Sequence, residues 1–469
     1  MNRRSTAWRL ALWGLIWALP SNGQSPLFVT TSNFETGSIA LLAAGSHQAD
    51  VNLLTIHGDA VARYQRGKIY VINRFGQDNI LVLDPQDPRS PEIQFSVGNG
   101  TNPYDIELIS DSKAYVSRLA STDLLIVDPS SGQELGIIDL SAFADADGIP
   151  EMAEMVIVGT RLYVACQLLD RTTFTPAARG LIVVVDTETD LVVDMDPEIE
   201  GVQAWTLAAG NPLSMLALEN MLFISETASF QDSLGGIEVI DLDTGVSRGL
   251  VIREGSLGGD VGAMDMVDSS RGYVVVSDAN YANHVVPFDL ATGTAGDALP
   301  GHSTGFTASI AVDGDRLIVA DSGSFDGSIP PGLLIYDTQT NDLLAGPINT
   351  GLPPSSIAVI RDRKQATVIG IEESVVPSTF ELGSAYPNPF NASVTIPYRV
   401  AVGSWVELAI FDVLGRRLDK LEAQYAVNSH NQIFWNGTDD QGLRVGSGTY
   451  IVRLRRGPHQ TSAKVTLVK

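Results

Sequence analysis

The sequence predicts an all-β protein, a seven-bladed β-propeller followed by a small β-sandwich. Two observations carry this reading. Apolar runs of strand length that end in an aspartate and a turn recur along the chain: ILVLDP from Ile80, LLIVDPSSG from Leu124, IVVVDT from Ile182, IEVIDL from Ile237, VVPFDL from Val285 and LLIYDT from Leu333. After Glu373 the texture changes, and short alternating strands separated by Gly and Asp turns follow to the end.

Taken in order, residues 1–23 read as a signal peptide. They have a basic start (Arg3, Arg4, Arg9), an apolar stretch from Leu10 to Leu19, and small residues at Ser21 and Gly23 that suit a processing cut. The apolar stretch is shorter than the roughly 20 residues a membrane-spanning helix needs. No later segment reaches that length, so no transmembrane span is expected in the mature chain.

Residues 24–371 read as the propeller. The recurring aspartates Asp84, Asp128, Asp186, Asp241, Asp289 and Asp337 lie 44, 58, 55, 48 and 48 residues apart, a spacing that suits one small sheet per repeat. Ahead of each comes a strand rich in Val, Ile, Tyr and Phe: KIYVI from Lys68, KAYVS from Lys113, RLYVA from Arg161, MLFIS from Met221, GYVVV from Gly272 and RLIVA from Arg316. A further candidate strand precedes each of these, beginning at Ala60, Tyr104, Ala153, Leu213, Gly262 and Thr307, and SSIAVI from Ser355 is a seventh. More polar segments such as ELGIIDL from Glu134 suit the outer edge. The third repeat is stretched by the insertion LLDRTTFTPAARG, from Leu168 to Gly180.

The ends of the repeat region predict ring closure. LFVTT from Leu27 and SIALL from Ser38 match the second and third strands of a blade that lacks its first, whereas SSIAVI is a first strand without a blade. Joining them removes the unpaired edges. ATVIGI, Ala366 to Ile371, competes as a second strand or as part of an eighth blade.

The repeats, best seen in NPYDIELI, KAYVS and LLIVDPSSG, resemble those of YVTN-type bacterial surface β-propellers over roughly Pro26 to Ile371; no WD dipeptide or paired-glycine motif recurs. Residues 372–383 read as a linker and 384–469 as an Ig-like C-terminal sorting or anchoring domain. Its motif residues are Tyr386, Pro387, Asn388, Pro389 and Phe390, then Gly415, Trp435, Gly437, Gly448 and Tyr450. These resemble the Ig-like module of the flagellar hook-capping family and the C-terminal sorting domain of type IX secretion cargo. The second resemblance implies export to the outer surface through the outer-membrane secretion machinery; WNGTDDQG is closer to the hook-capping version. The alternative role is that of a spacer or adhesive domain.

Charge narrows the partners. Phe380 to Lys469 carries ten Lys and Arg against seven Asp and Glu, and the leader adds three Arg, so the stretch between holds 17 basic and 48 acidic residues. Such a surface repels nucleic acid and anionic lipid. The single cysteine, Cys166, precludes an intrachain disulfide and any CxxC clip.

No sequence motif marks a catalytic residue. The six histidines form no HExxH or HxH, and GxSxG and P-loop patterns are absent. Four carboxylates on first strands, Asp105, Glu107, Glu154 and Asp265, fall on one side of the period-2 alternation and are the candidate ligand or cation site at the central channel. Carboxylates that crowd together repel unless a cation joins them. No cofactor is demanded, and calcium is the candidate that suits such oxygen ligands. Two functions follow. One is a secreted, non-catalytic propeller that presents a protein, glycan or small-ligand site; the other is a lactonase- or lyase-like propeller enzyme acting in the channel. The aspartates that end the repeats have no part in either, because Asp before a turn accepts the backbone amides just downstream.

Overall fold

The computed structural model describes residues 24–361 apart from 197–198, and residues 381–468 apart from 384, 392, 400–404, 413–415, 426–429, 441 and 457–458. The predicted signal peptide, the ATVIGI stretch and Gly415 lie outside the described residues. The chain divides into two compact units, residues 1–368 and 369–469.

The first unit contains seven antiparallel sheets of four or five strands, the number predicted for the blades. In six of them successive strands pair in chain order. Their innermost strands are Ala60–Gln65, Pro103–Ser110, Met152–Val158, Pro212–Leu218, Asp260–Met266 and Thr307–Asp313. The remaining sheet joins the two ends of the unit: Pro354–Val359 is its inner strand, and Leu27–Ser32, Gly37–Leu42 and Ala49–Asp50 follow outwards. Leu27 pairs with Val359 and Phe28 with Ala358, so the predicted closure by strand exchange is present. A buried carboxylate fastens it. Asp313 accepts the backbone N–H and the hydroxyl of Ser25, each at 2.9 Å, and pairs with Arg316 and with Arg361 at the other end of the repeat region.

Burial explains the strand compositions. The second strands are apolar on both faces because each sheet packs between two others: Lys68–Asn73 is buried at every position after the lysine. One core cluster joins Tyr70, Ile72 and Val82 of one sheet to Ile106, Ala114 and Val116 of the next. Each Val or Ile among them contributes about 1.5–3 kcal/mol on full burial. The outer strand Gln133–Asp139 is mostly exposed, as its polar sequence requires.

The repeated aspartate is a turn residue. Asp128 Oδ1 accepts the Ser130 N–H at 2.8 Å and the Ser130 hydroxyl at 2.7 Å. Asp84, Asp186, Asp241, Asp289 and Asp337 likewise accept the N–H two residues on. These hydrogen bonds hold the Asp128 carboxyl below its ordinary range. The turn ends at Gly132, where φ is +74° and a Cβ would lie 2.3 Å from that of Phe95.

The second unit is a two-sheet sandwich. One sheet contains Glu381–Leu382, Val394–Arg399 and His430–Trp435; the other contains Trp405–Phe411, Arg417–Tyr425, Gly448–Arg456 and His459–Leu467. Val394, Ile396 and Trp435 of the first meet Leu408, Ile410, Val452 and Val465 of the second in one core.

Candidate functional site

The four predicted carboxylates lie on innermost strands, and the structure brings three of them around one cation. Arg63 Nε donates to Asp105 Oδ1 at 2.8 Å, and its Nη2 reaches Glu154 Oε1 at 3.4 Å. Burial by itself lowers the Arg63 pKa, but Asp105, Glu154 and Glu107 outweigh it and hold the guanidinium charged well above its ordinary range. Burial pushes Glu154 up to about 7 against the pull of Arg63. Glu107 accepts Gln65 Nε2 at 3.2 Å. Asp265, on another sheet, accepts the N–H of Met266 at 2.9 Å and of Val312 at 2.7 Å. Among the described residues, no group of three or more His, Cys, Asp or Glu side chains is placed to hold a metal ion.

These contacts belong to a larger pattern. At every junction between neighbouring sheets, a side chain on one innermost strand accepts a backbone N–H of the next. Gln65 takes Leu108, Asp105 takes Met155, Glu154 takes Met215 and Ser214 takes Met264. Asp265 then takes Val312, Ser309 takes Ile357 and Ser356 takes Ala62, which returns to the start. The register of the strand pairs shifts just before Met155, Met264 and Ile310, which frees amides from the ladder within their own sheet. Asp105, Glu154 and Asp265 are therefore members of a closed ring of side-chain hydrogen bonds.

The loop face offers a different chemistry. In six of the seven sheets the turn from second to third strand carries an aromatic residue: Phe34, Phe75, Phe174, Phe230, Tyr281 and Phe325. Because the sheets share one strand order and direction, these turns share one face. The six side chains are between 60% and 90% exposed. Phe34, Phe75, Phe174 and Tyr281 also have positive φ, of 71°, 43°, 54° and 62°, a conformation that is costly for bulky residues and concentrates at functional sites. Sequence reasoning missed this crown, although each aromatic stands in a turn where a polar residue is expected. The Leu168–Gly180 insertion supplies Phe174, and with Phe75 it walls a cavity of about 300 Å³.

The C-terminal motif residues divide by burial. Phe390, Trp435 and Tyr450 pack in the sandwich core in tilted and edge-to-face arrangements, with ring centroids 5.5 and 5.1 Å apart across Trp435. Trp435 Nε1 donates to the Thr438 carbonyl, and the turn passes through Gly437 at φ +74°. Tyr386 to Pro389 are exposed, and Asn388 anchors them by donating to the Lys464 carbonyl and accepting the Thr466 N–H. Gly448 opens the strand that carries Tyr450.

With this geometry in view, residues 384–468 match the family of the secretion system C-terminal sorting domain. After its propeller the chain therefore carries a type IX secretion sorting domain, which marks it as a secreted or cell-surface protein. Comparison with curated proteins finds no match. Among solved structures, the chain is similar to PorZ, a surface component of the type IX secretion system of Porphyromonas gingivalis, at 15% identity and a TM-score of 0.45; the match covers 93% of this chain and 63% of that one. A Bacteroides fragilis protein provisionally assigned as a 6-phosphogluconolactonase matches at 11% identity and a TM-score of 0.51, covering 72% of this chain and 99% of its own. The WD40 β-propeller domain of Doa1 matches at 11% identity and a TM-score of 0.43, over 65% and 91% of the two chains.

Proposed function

We propose that the protein is a non-catalytic binding protein whose loop face holds a ligand outside the cell, and that the sorting domain engages the secretion machinery to deliver it there. The crown of exposed aromatics carries this reading. A soluble protein gains nothing in folding from six exposed rings on one face, whereas aromatic residues supply contact area at low entropic cost. The test compares wild type with a variant in which Phe34, Phe230, Tyr281 and Phe325 are all alanine, using arrays of glycans, peptides and surface proteins. A ligand held by wild type and lost by a variant of unchanged melting temperature supports the reading. Ligands that bind both equally overturn it.

A second reading rests on Glu154. A carboxyl near neutrality beside Arg63 has the titration behaviour of a general acid or base, and the fold likeness to the Bacteroides fragilis protein directs the assay to lactones. Turnover abolished by Glu154→Gln in a folded variant would replace the binding reading with an enzymatic one. Calcium in the channel, through Asp105, Glu107, Glu154 and Asp265, is tested separately. It requires a calcium-dependent rise in melting temperature that Glu107→Gln removes.

A further inference from the structure

The cavity between Phe75 and Phe174 contains a feature of the loop face that the aromatic crown does not explain. Glu151 lines it and is 3% exposed, with φ at +47°. One carboxylate oxygen, Oε2, accepts the Leu169 N–H at 3.1 Å; the other, Oε1, is buried and has no hydrogen-bond partner. A buried acceptor left unmatched costs about 1–3 kcal/mol, so a fold that keeps one has either a use for it or a guest that satisfies it. Burial pushes this carboxyl up to about 7, helped by Asp147 and Asp145 and opposed by the Leu169 N–H and Arg171.

The surroundings select the guest. Phe75 and Phe174 are exposed aromatic walls, and Leu169 and Leu119 add apolar lining. Aromatic faces attract cations as well as apolar surface. Two carboxylates, Asp78 and Glu151, line the cavity against one cation, Arg171, and Asp145 and Asp147 act on Glu151 from nearby, while Asp170 beside Arg171 accepts the N–H groups of Thr172 and Thr173. The volume of about 300 Å³ lies at the small end for ligand pockets.

The geometry points to a site for an organic cation, in which an ammonium or guanidinium group on an apolar stem donates to Glu151 Oε1 while the stem lies between Phe75 and Phe174. This deepens the reading of the loop face as a binding face and rests on it. The cation comes either as a free amine or as the lysine or arginine side chain of a polypeptide.

Calorimetry on the full chain tests it with phenethylammonium, with neutral phenethyl alcohol and with anionic phenylpropionate. A labelled ten-residue peptide containing one lysine, and the same peptide with norleucine in its place, form the second arm. The expected result is that the ammonium binds at least tenfold more tightly than the alcohol or the carboxylate. Tighter binding of the lysine peptide than of the free amine identifies a polypeptide source, and the reverse order a small molecule. Glu151→Gln and, separately, Phe174→Ala are expected to weaken cation binding at least tenfold. Phe174 is exposed, so its truncation leaves the fold intact and keeps the test valid if the Glu151 variant fails to fold. Equal binding of all three small probes, no binding of any cation, or cation binding unchanged in Phe174→Ala overturns the site. Loss of this site with the four-alanine crown variant still defective leaves the broader reading standing.

Discussion

The central channel and the loop face both display polar or aromatic residues at unusual positions, but they use them in opposite ways. On the inner strands Asp105, Glu154 and Asp265 already hold backbone amides of the next sheets, and Asp105 and Glu154 share Arg63 as well. On the loop face the rings have no neighbours that bury them, and Glu151 keeps an oxygen without a partner. The strands of a propeller close the ring by satisfying one another's amides, so polar groups there are committed to closure. Loops carry no such duty, and their unsatisfied groups are available to a ligand.

The comparison breaks most visibly at Asp105. Asp105→Ala leaves Arg63 short of its closest partner and the Met155 N–H without its acceptor, both within the ring. Removing one member of a buried ion pair costs about 3 kcal/mol. Denaturant unfolding is expected to show that loss, while ligand binding on the loop face persists wherever the variant is folded. Loss of binding without loss of stability would mean that the channel, rather than the loop face, is the site.

The next effect lies beneath the loop face, at Glu226, which is fully buried at the end of a second strand and accepts the Ala209 N–H at 2.5 Å. Burial, with Glu238 beside it, pushes its carboxyl from 4.5 up to about 10. A folded-state pKa above the unfolded one means that the fold prefers the protonated acid. Its stabilising contribution is complete below about pH 4.5 and declines as pH rises towards 10. For one proton the decline is at most about 1.4 kcal/mol per pH unit. Glu226→Gln is therefore expected to flatten the fall in melting temperature between pH 5 and 9 and to raise it at pH 8. A variant that melts lower than wild type at pH 8 would show that the carboxylate, not the acid, is the form the fold needs.

Much of the fold was legible because its signals are periodic. The Asp128 turn has five counterparts along the chain, and the missing first strand ahead of Leu27 has its counterpart at Ser355. The four candidate carboxylates were legible as residues on inner strands, because the strand runs themselves are periodic along the chain. Their hydrogen bonds were not, because the acceptor relation joins Asp105 to Met155 and Glu154 to Met215 across separate sheets. The loop-face cavity escaped for a related reason. Phe75, Leu119 and Phe174 stand in the loops of three successive sheets, with Glu151 at the start of the sheet that carries Phe174, and only the packing of those sheets side by side brings them together. The Leu168–Gly180 insertion, which in the sequence only stretches the third repeat, supplies one wall of the cavity.

The smallest effect sharpens the comparison within the ring itself. Ser214 makes the same junction as the carboxylates but without charge: its hydroxyl donates to the Met264 carbonyl at 3.3 Å and accepts the Met264 N–H at 3.4 Å. Both distances are long for hydrogen bonds, and neutral pairs contribute less than ionic ones. Ser214→Ala is therefore expected to cost about 1 kcal/mol in denaturant unfolding, roughly a third of the Asp105→Ala loss. If the two variants lose equal stability, the amide left unpaired dominates at both junctions and the Arg63 pair adds nothing. If Ser214→Ala loses none, water replaces the hydroxyl at that junction, and the ring does not depend on it.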